Sequence, residues 1–386
     1  MVRVRVKCIV KLERKIMPQI FELFGFPISD RSDDTEQSRK SAICPFMNTK
    51  CDGGGNRHQT RIQLSNNEPL SKYFNQDIDN IIPGVCSITT SDDTWVVCPR
   101  RLFAARNPSN DFPIVNFAIQ SHERDILLQT ELPHGIDIGI WSEVYLKQQI
   151  EEAEINYHFD YIAMPLVDTT LISFLNQFQL EENLIDQEIA NFSSQMRQRG
   201  YYHKHTRDIA NAVARFPVMD RPIIFEVMTA STSGSDTENK TDIRSAFRNA
   251  ILNRDHESPG INKRQVWGRM VTQLFAKTAL ANSWDGQTLW IIQDELLRNI
   301  ELTTLLRTSK IIRKKDSDIN LVVMKYTETA SGARKIELSN SVTGDSGLEF
   351  TGNETFTDIL LPKIKPSKLE LARSVLRRSI DAVVRL

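Results

Sequence analysis

Residues 222–228 read Pro-Ile-Ile-Phe-Glu-Val-Met, an apolar run of strand length that is interrupted by one acid, Glu226. A short run rich in β-branched and aromatic residues predicts a buried strand. Helical patterns separate it from similar strand-like runs, which lie at residues 114–120, 157–164, 289–293 and 319–326. Strands that alternate with helices indicate an α/β fold.

The segments between these runs show the spacing of helices. Apolar residues recurring every three or four positions predict one helical face. The helices expected on this basis lie at residues 17–27, 141–152, 171–198 (two helices), 241–252, 262–283, 294–306 and 369–384. Residues 29–40 are polar and predict turns rather than a regular element.

The composition describes an ordinary globular protein. The chain has 386 residues, of which 40% are hydrophobic and 25% charged, and its formal net charge is −1. No apolar run approaches the roughly 18–20 residues that span a bilayer, and the N-terminus lacks the apolar stretch of a secretory signal. We therefore expect a cytoplasmic protein with no membrane partner. A nearly neutral chain would meet any anionic partner through a local basic surface.

Amino-acid composition and periodicity divide the chain into three parts. Residues 1–16 are rich in Lys and Arg, and they read as a leader or as an extra strand. Residues 17–110 contain four of the five cysteines and few periodic segments, which predicts a small metal-binding module. Residues 111–386 are expected to form the α/β domain.

Four cysteines carry the first functional signal. Cys44, Cys51, Cys86 and Cys98 are separated by 6, 34 and 11 residues. Four thiolates form the closed tetrahedral site of a structural zinc or iron ion, and a reducing compartment favours metal over disulfide. The spacing lacks the two-residue separation of a zinc ribbon, and the alternative is four unrelated buried cysteines. Their clustering, and the proline that follows Cys44 and Cys98, argue against that alternative.

Two acids carry the second signal. Asp160 and Glu226 each lie alone within an apolar, strand-like run. A carboxylate is costly to bury unless it is paired or bound to a metal. Magnesium prefers such oxygen ligands, so neighbouring strands would bring both acids to one site, with Glu143 on the preceding helix as a third ligand. Without that pairing, each acid lies on the solvent face of its strand.

Several stretches, in the same order along the chain, resemble the NotI-like type II restriction endonucleases of the PD-(D/E)xK nuclease superfamily. Cys-Pro-Phe at 44–46, Gly-Val-Cys at 84–86 and Trp-Val-Val-Cys-Pro at 95–99 resemble the four-cysteine module of that family. Phe-Asp-Tyr at 159–161 resembles its Phe-Asp-Trp, and Phe-Glu-Val-Met-Thr at 225–229 resembles its Leu-Glu-Ile-Gln-Thr. Residues 260–280 resemble its following long helix, and the similarity covers roughly residues 21–306.

The resemblance implies a fold and an activity. It implies a restriction-endonuclease-like core with an N-terminal module whose four cysteines hold iron or zinc. It also implies Mg²⁺-dependent hydrolysis of double-stranded DNA at a palindromic site by a homodimer. Asp160 and Glu226 would bind the Mg²⁺ ion, and Glu143 would assist.

The sequence departs from the family pattern in two places. About forty extra residues, largely 171–216, separate the two catalytic strands. The third motif position, usually Lys in the superfamily and Gln in NotI-like enzymes, is Met228. Methionine cannot orient a water molecule or stabilise developing negative charge. Lys240 and Thr229 are candidates for the missing group, and the alternative function is a DNA-binding protein of nuclease fold whose cleavage is impaired.

Basic residues near these motifs are the candidates for DNA contacts. Lys and Arg neutralise backbone phosphates, although a charged helix face is often merely solvated. The candidates that lie near the cysteines or at the start of the long helix are Arg57, Arg100, Arg101, Lys263 and Arg264.

Overall fold

The computed structural model describes residues 17–91, 93–106, 120–150, 153–203, 205–262, 264–312, 317–329, 334–347 and 364–386. Residues 1–16, and the strand expected at 114–120 except for Gln120, lie outside these ranges. Within the described ranges, none of the helices combines the length and the apolar character needed to span a membrane.

The described residues form a mixed α/β fold, which confirms the expected class. The helices are α1 (Asp33–Lys40), α2 (Glu68–Tyr73), α3 (His122–Leu127), α4 (Leu171–Asn176), α5 (Glu182–Gln198), α6 (Ile243–Ile251), α7 (Arg264–Ser283), α8 (Asp294–Thr303) and α9 (Lys368–Leu376). Those expected at 171–198, 241–252, 262–283 and 294–306 are confirmed. Short 3₁₀ turns lie at Gly53–Gly55, Pro99–Arg101 and Thr308–Lys310.

The strands fall into a small group that contains the cysteines and a larger group after it. The first are β1 (Gln19–Leu23), β2 (Phe26–Pro27), β3 (Ile43–Cys44), β4 (Thr49–Lys50), β5 (Ile62–Gln63), β6 (Asn80–Ile81), β7 (Val85–Thr89) and β8 (Thr94–Val96). The next are β9 (Asp137–Ile150), β10 (Ala153–Thr170), β11 (Val213–Pro217), β12 (Ile223–Met228), β13 (Ser231–Thr232), β14 (Ser235–Asp236), β15 (Thr241–Asp242) and β16 (Ile261–Asn262). The last are β17 (Gln287–Gln293), β18 (Ile319–Glu328), β19 (Arg334–Gly344) and β20 (Ala382–Arg385).

The large sheet is mixed, with strand order β19-β18-β17-β12-β10-β9-β20. The central pairs β12–β17 and β17–β18 are parallel, and the other pairs are antiparallel. Strand β11 pairs with the far end of β10, so that the extra residues 171–216 form α4, α5 and most of β11 at that end. The insertion therefore leaves β10 and β12 as direct neighbours.

Apolar layers cover both faces of this sheet. One layer packs residues of α4, α5, α7 and α9 against Trp141, Phe159 and Ile224. The other layer packs the 102–105 segment and α3 against Tyr161 and Phe225. Burial on both faces explains why β12 is apolar throughout except at Glu226.

The cysteine-rich part forms its own four-stranded sheet in the order β2-β1-β7-β8. Its core contains Phe24 and Phe74, and it also contains Phe247 from α6, which lies well beyond residue 110. The strands of this sheet precede residue 110 and the described strands of the large sheet follow it, whereas helix α6, which also follows it, shares the core of the first sheet.

The helix expected at 141–152 is wrong, because residues 141–150 belong to β9. Residues 151 and 152 lie outside the described ranges. Val144 and Leu146 are buried while Tyr145 and Lys147 are exposed, which is the period of two of a strand. Strand β9 pairs with β10 along nearly its whole length. This pairing in a hairpin outweighs the helical spacing of the sequence.

Three further predictions are corrected. Residues 17–27 form β1 and β2 rather than a helix, because Gly25, at φ 83°, reverses the chain after only a few residues. The turns expected at 29–40 include helix α1. The terminal helix expected at 369–384 ends at Leu376, and the apolar residues after it form the edge strand β20 against β9.

Candidate active site on the central strands

Asp160 and Glu226 lie side by side on neighbouring strands. Strands β10 and β12 are antiparallel, and the pair Tyr161–Phe225 in their register puts Asp160 beside Glu226. The backbone N–H of Asp160 donates to Glu226 Oε1 at 3.4 Å, and the N–H of Val227 donates to Asp160 Oδ2 at 2.9 Å. The two acids predicted to meet are therefore brought together.

A lysine that the sequence analysis did not select joins this pair. Lys277 lies on α7, and its Nζ donates to Glu226 Oε2 at 2.5 Å. The lysine and glutamate side chains are 8% and 2% exposed, and the ammonium lies 5.8 Å from the centre of the Phe159 ring. The sequence feature that could have identified Lys277 is its position as a lone cation within the apolar run 275–281.

The pKa of Glu226 is set mainly by its burial. Burial, and then the nearby charge of Asp160, raises the pKa of Glu226 to about 8, while Lys277 opposes the rise. A buried carboxylate next to a second carboxylate needs cations to stay ionised. Lys277 supplies one cation, and the oxygens of Asp160 and Glu226 are the donors that a divalent ion would take.

Glu143 lies opposite Asp160 on β9, in a strand instead of the expected helix. Its φ of 51° is uncommon for a non-glycine residue, and such conformations occur at functional sites. Oε1 accepts from Arg100 at 3.0 Å, and Oε2 lies 2.6 Å from His158 Nε2. These partners, His158 first, lower the pKa of Glu143 to about 2 against the effect of burial. Its carboxylate is thus engaged on the side of Arg100 and His158, and its role as a metal ligand stays a prediction.

Met228 and the two candidates for the missing group, Thr229 and Lys240, lie in different surroundings. Met228 is 9% exposed and contributes to the wall of a cleft together with Thr229. Lys240 is exposed in the turn between β14 and β15. Lys277, rather than Lys240, brings an ammonium group to the two acids.

The cleft opens beside Asp160 and has a volume of about 270 Å³. One wall is the start of the segment after β12, and the other is a loop of the cysteine-rich part. Gly54 lies in that loop at φ 62°, and a Cβ there would approach Cys98 Sγ to 2.6 Å. Position 54 must therefore be glycine for the loop to pass so close to Cys98. The lining residues include Asp160, Val227, Met228, Thr229, Gly54, Gly55, Asn56, Arg57 and His58.

The four cysteines gather in one apolar cluster. Cys44, Cys86 and Cys98 pack with Phe46 and Ala104, and Cys51 packs against them. Burial, and then the charge of Cys98, raises the pKa of Cys44 to about 11. A hydrogen bond between Cys86 and Cys98 raises the pKa of Cys86 and lowers that of Cys98, so the shared proton resides on Cys86.

Backbone donors surround these sulfurs. The Cys44 sulfur accepts from Phe46 and Met47, the Cys51 sulfur from Gly53, and the Cys98 sulfur from Arg100. The Cys86 sulfur accepts from Gly25 N at 3.3 Å. Among the described residues, no three His, Cys, Asp or Glu side chains are arranged to hold a metal ion as they stand. The donor chemistry nevertheless fits one, since buried thiolates with N–H donors are what iron and zinc sites use.

The predicted DNA contacts separate into two groups. Arg57 is exposed on the cleft wall. The Arg100 side chain is 11% exposed and pairs with Glu143, and the Arg101 side chain is 10% exposed and pairs with the buried Glu22. The charge of Arg101 is thus paired with Glu22, and its contact with DNA stays a prediction. Lys263 and the side chain of Arg264 lie outside the described residues.

Comparison with known proteins gives no relative from which to assign a function. No model of a known protein family matches the chain, and no curated protein matches it. We therefore infer the function from the geometry of the site and from the sequence motifs.

Proposed function

We propose that the chain is a magnesium-dependent type II restriction endonuclease that hydrolyses phosphodiester bonds in double-stranded DNA. The observation that carries this proposal is the convergence of Asp160, Glu226 and Lys277 beside an open cleft. Two carboxylates and an ammonium group form the combination that metal-assisted phosphodiester hydrolysis needs. The resemblance of the flanking motifs to NotI-like enzymes, and so to a PD-(D/E)xK core, supports the same interpretation.

Asp160 and Glu226 would hold the Mg²⁺ ion, because hard carboxylate oxygens are its preferred protein ligands. The ion would polarise the scissile phosphate and lower the pKa of a bound water. The position of Glu226 supports this assignment, since burial beside Asp160 raises its pKa and a further cation would relieve both charges.

Lys277 takes the role for which Met228 is unsuited. Its ammonium has three N–H donors, and within the described part of the chain Glu226 is the acceptor found for it. A remaining donor would orient the attacking water and stabilise negative charge on the phosphate as the phosphorus–oxygen bond breaks. A lysine from a helix would thus replace the strand lysine of the usual motif.

The four cysteines would hold a structural iron or zinc ion that takes no part in hydrolysis. The loop that follows Cys51 passes Cys98 at Gly54 and continues to Arg57 and His58 on the cleft wall. A metal that fixes the cysteines would therefore fix the wall against which a DNA backbone lies.

A palindromic site would be cut by two copies of the chain. Each copy carries one set of Asp160, Glu226 and Lys277, which suffices for one strand. A two-fold symmetric dimer presents two such sets to a symmetric DNA site.

The test is cleavage of plasmid and phage DNA by the purified full-length chain with and without Mg²⁺. We expect discrete fragments that require Mg²⁺, and a loss of about 10³-fold or more for Asp160→Asn and Glu226→Gln. End mapping of a digested, sequenced genome gives the recognition site and its symmetry.

Asp168→Asn is the matched control. This aspartate lies on the same strand as Asp160, and its side chain is 67% exposed beside Arg215. The control variant should cut like the wild type. Binding of DNA without any cleavage of diverse substrates would instead favour the impaired DNA-binding protein, and full activity of the Asp160 and Glu226 variants would refute the site.

A further inference from the structure

Arg100 connects the cysteine cluster to the strands of the site. Its backbone N–H donates to the sulfur of Cys98, two residues earlier. Its guanidinium group contacts residues of β9 and β10, and the side chain is only 11% exposed. One residue is therefore held at both ends, by a cysteine and by the catalytic strands.

The guanidinium group contacts both neighbours of Asp160. Nη1 donates to the hydroxyl of Tyr161, the next residue along β10, at 2.8 Å. Nη2 donates to Glu143, which lies opposite Asp160 on β9, at 3.0 Å. A second acid, Asp52, lies 3.7 Å from the same nitrogen and directly follows Cys51. Arg100 thus contacts residues on both sides: Asp52 is next to a cysteine, and Tyr161 and Glu143 are next to Asp160.

The conformation of Glu143 shows why this connection matters. A φ of 51° in a long strand persists only when the surrounding contacts hold it. Arg100 holds one carboxylate oxygen of Glu143, and His158 holds the other. Loss of Arg100 would release one side of this strained residue at the position opposite Asp160.

We propose that Arg100 is a positioning residue that makes the placement of Asp160 depend on an intact cysteine cluster. The inference rests on the proposed function only in assigning Asp160 and Glu226 as divalent-ion ligands. Coupling between two sites is reciprocal, so damage at the cysteines should weaken divalent-ion binding, and Arg100 should carry that effect.

The experiment titrates Mn²⁺ into DNA-free, full-length protein and follows the bound ion by electron paramagnetic resonance. The variants are Arg100→Lys and Tyr161→Phe. Lysine cannot bridge Tyr161 and Glu143 as a planar guanidinium does, and phenylalanine removes one acceptor without changing the shape of the buried ring. We expect Arg100→Lys to raise the Mn²⁺ dissociation constant about 10- to 100-fold, as is usual when a residue that orients a metal ligand is changed. Tyr161→Phe should have a smaller effect in the same direction.

Arg298→Lys is the matched control. Arg298 also pairs with several acids, namely Asp93, Asp294 and Glu295, but it lies outside the site. This variant should bind Mn²⁺ like the wild type. Metal content of the cysteine cluster and thermal unfolding are measured on every variant, since a merely structural role would lower stability without changing Mn²⁺ affinity.

A double-mutant cycle with Cys51→Ser tests the coupling itself. We expect Cys51→Ser to weaken Mn²⁺ binding in the wild type and to add little in the Arg100→Lys background. Additive effects, or Mn²⁺ affinity unchanged in Arg100→Lys, would overturn the inference. If Cys51→Ser does not fold, the Arg100 and Tyr161 variants decide by themselves. Wild-type protein that binds Mn²⁺ through Asp160 without cutting DNA would refute the nuclease and leave this inference intact.

Discussion

Lys277–Glu226 and Arg101–Glu22 are both buried pairs of a cation and a carboxylate, and they are built differently. Arg101 donates three hydrogen bonds to Glu22 and a fourth to Gln120. Glu22 also accepts from the hydroxyls of Ser87 and Tyr326. Both charges of this pair are surrounded by partners within the protein.

The Lys277 pair is less complete. Lys277 donates to one oxygen of Glu226, and the other oxygen accepts a long 3.4 Å bond from Asp160. Asp160 in turn lines the cleft. A saturated ion pair holds the fold together, whereas a pair with donors and acceptors to spare beside a cleft is prepared for a ligand. This is the difference that we expect between a structural pair and the proposed catalytic pair.

The largest effect that would test this contrast is on catalysis. Replacing Lys277 by Met should lower single-turnover DNA cleavage by about 10³-fold, which corresponds to about 4 kcal/mol. Folding should change little, because Glu226, with a pKa near 8, can take up a proton when the lysine is lost. Cleavage within tenfold of the wild type would remove Lys277 from the mechanism.

The second prediction concerns the Arg101–Glu22 pair, whose hydrogen-bonding groups have partners within the protein. Arg101→Met should leave Glu22 buried without its cation and destabilise the protein by about 3–5 kcal/mol. Urea unfolding measures the loss, and the partly exposed Arg298→Met serves as the control. Cleavage per folded molecule should stay at the wild-type value, and a selective loss of activity in a stable protein would contradict the structural role.

A smaller effect concerns pH. Glu123 lies beside the Arg101 network, where it accepts from Ala104, Ala105 and Gln120. Burial raises its pKa to about 7, above the ordinary value of 4.5. The associated stability is therefore fully present below about pH 4.5 and is lost as pH rises through about 7, by about 3 kcal/mol.

The variant Glu123→Gln should abolish this pH dependence, although the amide replaces an acceptor and lowers stability at every pH. Urea unfolding between about pH 5 and pH 8 measures the slope for both proteins. Glu131→Gln, at an exposed pair with Arg221, is the control. An unchanged slope in Glu123→Gln would assign the pH dependence to another group.

The sequence was sufficient to predict the acid pair but not its cation. Asp160 and Glu226 could be recognised because each is a lone acid in an apolar strand, and adjacent strands are readily inferred in an α/β pattern. Lys277 is likewise a lone cation in an apolar run, but sequence spacing does not show which face of a helix meets which strand. The candidates for the group missing at Met228 were residues close to it in sequence, whereas the ammonium group beside Glu226 belongs to Lys277 on α7.

The mistaken elements share a physical cause. Residues 141–152 have helical spacing, but a partner strand along nearly the whole of β9 decides their conformation. The terminal segment after Leu376 forms an edge strand because β9 offers it unpaired backbone groups. Buried strands such as β12 were predictable because burial on both faces leaves a run that is apolar except at Glu226.

The insertion between β10 and β12 has a consequence for the order in which the molecule folds. Strands β9 and β10 form a local hairpin, whereas β10 meets β12 only after the chain has passed through α4, α5 and β11. The entropy of closing that loop grows slowly with its length, so the extra residues weaken the pairing little. High contact order slows folding, however. We therefore expect the β9–β10 hairpin, which contains Asp160, to form first and the pairing of β10 with β12, which brings Glu226 beside Asp160, to form later. The protein would then become competent for metal binding only as its central sheet closes.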